Sequence, residues 1–84
     1  MKYLLVNQNS DKQRLDSEDK FDALEEGLDI LGYVLQAGSH GEPFVLVNLS
    51  KVKTQRIEIH TRDREDALVE ALEILGYSVE DELN

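Results

Sequence analysis

Asp19-Lys20-Phe21-Asp22-Ala23-Leu24-Glu25-Glu26-Gly27-Leu28-Asp29-Ile30-Leu31-Gly32-Tyr33 returns further along the chain as Asp63-Arg64-Glu65-Asp66-Ala67-Leu68-Val69-Glu70-Ala71-Leu72-Glu73-Ile74-Leu75-Gly76-Tyr77. Ten of the fifteen positions are identical, and Lys20/Arg64 and Asp29/Glu73 keep their charge. Both copies read as a helix with a wide apolar stripe: Leu24, Leu28 and Leu31 with Ala23, Gly27 and Ile30, then Leu68, Leu72 and Leu75 with Ala67, Ala71 and Ile74. Asp19 and Asp63 stand where an N-cap belongs, each with an Asp three residues on. Ser17 and Thr61 are rival caps one turn earlier. Gly32 and Gly76 are the stops, because a glycine just past a helix takes the left-handed conformation without a Cβ clash. Ala23 with Gly27, and Ala67 with Ala71, set small residues four apart. Gly27 lowers helix propensity by roughly 1 kcal/mol against alanine, so close packing on a sheet or on the other helix is expected to offset it.

The likeness extends upstream. Gln13-Arg14-Leu15-Asp16 matches Gln55-Arg56-Ile57-Glu58, and Leu5-Val6-Asn7 matches Leu46-Val47-Asn48. Small insertions separate the matched blocks, as loops tolerate. The reading is one domain, 1–84, built of pseudo-repeats 3–33 and 44–77 joined by 34–43, with Gly38-Ser39-His40-Gly41-Glu42-Pro43 as the loop in the joint. Tyr3–Asn7 and Phe44–Leu49 are nearly continuous in apolarity and read as central strands. Arg56–Thr61 alternates, as a half-exposed edge strand does, and Gln13–Ser17 is its weaker counterpart. The expected fold class is therefore α+β: an internally duplicated ββα–ββα chain with one antiparallel sheet of four to five strands and two helices on one face. Tyr33–Ala37 is the candidate for the fifth strand. The rival is a ferredoxin-like βαββαβ fold, which uses Tyr33–Ala37 and Tyr77–Val79 as strands and leaves Gln13–Ser17 as loop.

Composition narrows the function classes. The formal net charge is −9, which opposes general binding of nucleic acid or of anionic membrane surfaces. No apolar run exceeds four residues, so no transmembrane helix or secretory core is expected. Absence of cysteine fits a cytoplasmic setting. His40 and His60 lack partners at metal-ligand spacing, and no nucleophile or phosphate-loop motif is present. No enzyme activity, cofactor, metal or catalytic residue is therefore expected. The carboxylates of the two helices read as solvated faces.

Two features point to partners. Two helices can cover one face of a four-stranded sheet, so apolar residues of the central strands are expected on the other face: some of Tyr3, Leu5, Phe44 and Leu46, or their alternates. Val69, where the first copy has Glu25, adds an apolar residue on the helix side. The expected function is a small acidic protein-interaction or regulatory module that self-associates as a homodimer through the apolar sheet face. One alternative is an acidic mimic that occupies a nucleic-acid-binding surface. The other is a weak nucleic-acid or nucleotide binder that uses Lys51, Lys53 and Arg56 at the second hairpin. Phe21 against Glu65 is a further position at which the copies disagree.

Overall fold

The computed structural model describes residues 2–37, 43–49 and 56–82. The order is β1 (Tyr3–Asn7), β2 (Lys12–Leu15), α1 (Lys20–Ile30), β3 (Tyr33–Gln36), β4 (Phe44–Asn48), β5 (Arg56–Ile59), α2 (Arg64–Ile74) and β6 (Tyr77–Asp81). The loop 38–42 and the residues Lys51 and Lys53 lie outside the described residues.

The expected single sheet does not form. Six strands make two antiparallel three-stranded sheets, β2-β1-β6 and β3-β4-β5. The physical reason is where the last strand of each half goes. β3 leaves α1 and pairs with β4, Leu35 opposite Leu46. β6 leaves α2 and returns to β1, Val79 opposite Leu5. Each sheet is thus a hairpin from one half completed by a strand from the other. The apolar strands β1 and β4 are central, as their sequences require. Both candidate strands after the glycines form, but so does β2, so the ferredoxin-like order is not adopted. Among the described residues, no strand of one sheet has a Cα within 8 Å of the other sheet. The helices join them: α1 packs on all three strands of the first sheet, α2 on all three of the second, and the helices pack on each other.

Local chemistry sets the boundaries. The Asp19 carboxylate accepts from the Asp22 N–H at 3.3 Å, and Asp63 accepts from Asp66 at 3.1 Å. Gly32 and Gly76 have φ +83° and +85°, and their N–H groups donate to Asp29 and Glu73 carbonyls at 3.0 and 2.9 Å. Ser17 is not a cap. Its N–H and Oγ both go to Glu26 Oε1, at 3.0 and 2.7 Å, and the Asp16 N–H reaches Glu26 Oε2 at 3.0 Å. Glu26 thereby takes the backbone donors that would extend β2, which ends at Leu15 rather than running to Ser17. These donors hold the Glu26 carboxyl below its ordinary value, the Asp16 N–H first and the Ser17 hydroxyl next. Thr61, at the matching place in the second half, has a buried Oγ1 with no hydrogen-bond partner among the described residues.

One apolar core runs through both helices and both sheets, centred on Leu5, Leu15, Leu24, Leu28, Leu46, Ile59, Leu68 and Leu72. Gly27 marks a close approach within it. A Cβ there would lie 3.1 Å from Leu5 Cδ1 and 3.7 Å from Leu72 Cδ2, so the helix meets sheet and partner helix at once. Ala23, Ala67 and Ala71 are fully buried beside it.

Candidate functional site

The core claims four of the residues expected on an open sheet face. Leu5 and Leu46 are 3% and 0% exposed, and Tyr3 and Phe44 pack against the same cluster. A one-residue step along a strand reverses the face, so their alternates take the outer side. Pairing places Leu4 and Val6 there in the first sheet, between Lys12 and Arg14 on one side and Ser78 and Glu80 on the other. In the second sheet Val34, Val45 and Val47 form the stripe, flanked by Arg56 and Glu58. Val6 and Val47 are nevertheless buried, at 7% and 5%. Over the first sheet Arg14 reaches Glu82 with two nitrogens at 2.7–3.0 Å, linking β2 to the residue that follows β6.

The more informative geometry lies beside the helices. A groove of about 420 Å³ runs between the outer flank of α1, strand β3 and the start of α2. Its wall carries Asp22, Glu25, Glu26 and Asp29, spaced so that one helix face presents all four. Its floor is Leu28, Val34, Leu35 and Leu68. Arg64 crosses from α2 into this groove. Its guanidinium donates to Glu25 Oε2 at 2.9 Å and sits 6.0 Å from the Phe21 ring centroid. Of the basic residues expected at the second hairpin, Arg56 is exposed on β5.

A second groove, of about 190 Å³, occupies the matching place between α2 and β6. Its lining is the first groove's lining carried to the other half: Val69 for Glu25, Leu72 for Leu28, Glu73 for Asp29, Tyr77 for Tyr33, Val79 for Leu35, and Lys20 and Leu24 for Arg64 and Leu68. The chemistry is different. Val69 stands in place of a carboxylate, and although Glu73 lines the same groove, Lys20 makes no ion pair among the described residues. Glu65 stands in place of Phe21, and among the described residues Lys20 makes no cation–π contact. One groove is acidic and bridged by an arginine; the other is more apolar and has no such bridge among the described residues.

Sequence reasoning marked Glu25/Val69 and Phe21/Glu65 as disagreements but missed that Lys20 and Arg64 face them. The signal was present, because the only two cations of the aligned helices sit at equivalent positions. Among the described residues no group of three His, Cys, Asp or Glu is placed to hold a metal ion, and no helix is long and apolar enough to cross a membrane. No protein-family model, no curated protein and no solved structure matches this chain.

Proposed function

We propose that the chain is a small acidic, non-enzymatic protein-interaction module built from two copies of a ββαβ unit, with the copies specialised at their grooves. The observation that carries this reading is the contrast between two equivalent grooves. Core positions agree between the halves, while the outward positions Glu25/Val69 and Phe21/Glu65 diverge. Folding explains the agreement; Val69, half-buried against the core, leaves the second groove without the carboxylate that Glu25 gives the first. A cytoplasmic setting belongs to the same proposal, since the chain has no cysteine.

The test is capture from the native host with wild type and Val69→Glu, which gives the second groove the carboxylate of the first. The reading expects a partner held by wild type and lost with Val69→Glu. Identical capture by both proteins contradicts it. A partner released by salt whatever stands at position 69 favours the acidic-mimic reading, which rests on the four carboxylates of α1.

Self-association over the outer sheet face is a second reading, favoured by the half-buried Val34 and Val45. Sedimentation checks it: a dimer that dissociates with Val45→Lys supports it, and a monomer at every concentration removes it.

A further inference from the structure

We propose that β6 is a docking edge, and that its occupant is an extended, basic segment of a partner protein that adds a fourth strand to β2-β1-β6 with an apolar side chain in the groove under Val69. The inference rests on the interaction-module reading and names the partner's chemistry.

β6 pairs with β1 on one side only. The bond from the Glu82 N–H to the Lys2 carbonyl, 2.9 Å, sets the phase of that ladder. Bonded pairs in an antiparallel ladder alternate, so Ser78 and Glu80 turn their backbone groups toward β1. Tyr77, Val79 and Asp81 then present N–H and C=O on the outer edge, and none of the three has an outer backbone partner among the described residues.

On the equivalent strand, β3, the backbone groups of Leu35 point outward by the same phase, but the residue is only 4% exposed, in the floor of the groove that Arg64 and Glu25 bridge. Val79, its counterpart, is half-buried and borders the second groove, which no ion pair bridges among the described residues. The other edge of the same sheet carries Lys12 and Arg14, the usual protection against strand addition. β6 carries Glu80 and Asp81, which make no ion pair among the described residues. An added strand meets cross-strand neighbours on both faces, so these two carboxylates select lysine or arginine in the incoming segment. They also oppose a second copy of this acidic chain. Backbone bonds to an edge with side chains in an adjoining groove form a recognised mode of peptide capture.

The probe is an alternating Lys-Val hexapeptide, with a Glu-Val hexapeptide as control, followed by amide NMR and hydrogen exchange on the full chain. The expected result is binding of the Lys-Val peptide alone, with new protection at the Tyr77, Val79 and Asp81 amides and shifts at Lys20 and Val69. Val79→Pro removes the outward N–H without touching a bond to β1, and is expected to weaken binding at least about tenfold. Should that variant fail to fold, the pair Glu80→Lys and Asp81→Lys must produce the same loss. Equal binding of both peptides, or shifts along α1 without new protection on β6, overturns the inference. The capture experiment with Val69→Glu is read separately, so failure here leaves the interaction-module reading to its own test.

Discussion

Single side chains in this protein do work that their matching residues do not. Ser17 and Thr61 occupy equivalent places, yet only Ser17 finds a carboxylate, at 2.7 Å. Ser17→Ala is expected to lower stability by about 1 kcal/mol, and Thr61→Val to leave it unchanged or raise it by up to about 1 kcal/mol, because an unpaired buried hydroxyl costs free energy. Chemical denaturation of the two variants checks the difference in sign. Glu26 makes a pH-dependent contribution. Its folded pKa lies below the ordinary 4.5, so the stability it supplies is complete above that value and is lost as pH falls through the folded one. Glu26→Gln should therefore melt lower than wild type at pH 7, with the gap closing below about pH 4.5. Thermal melts from neutral to acid pH measure this; a gap that widens on acidification would contradict the assignment.

At the scale of elements, much was legible in the order of residues. Asp19 and Asp63 as caps, Gly32 and Gly76 as stops, and the leucine stripes are local signals, each decided within one or two helical turns. Strand β2 was harder. Its end depends on Glu26, a helical residue that reaches back to it, and no local pattern in Gln13–Ser17 announces that. The glycine stops carry a plain prediction. Gly32→Ala and Gly76→Ala force a Cβ into the left-handed region and should each lose about 1–2 kcal/mol. The two losses should be similar, since the added Cβ meets open space at Gly32 and only the movable end of the exposed Gln8 side chain, at 3.0 Å, at Gly76. Denaturation midpoints with unchanged slopes would confirm the loss.

At the scale of the molecule, the halves cannot be separated. β1 and β4, read from sequence as central strands, each need two strand neighbours, and each takes one from the other half. Apolar periodicity tells which strands are central but is silent on which edge a returning strand will choose, which is why one sheet was expected and two formed. The same choice created both grooves, because it laid β3 beside Arg64 and β6 beside Lys20. Their contrast, and with it the site, became visible only once the strands were placed. Leu5 faces Val79 and Leu35 faces Leu46 as non-bonded pairs, whose Hα atoms approach closely. An Hα–Hα NOE spectrum therefore tests the exchange of strands directly. Cross-peaks for Leu5–Val79 and Leu35–Leu46 are the predicted result; cross-peaks for Leu5–Leu35 and Leu46–Val79, each half closing on itself, would contradict it.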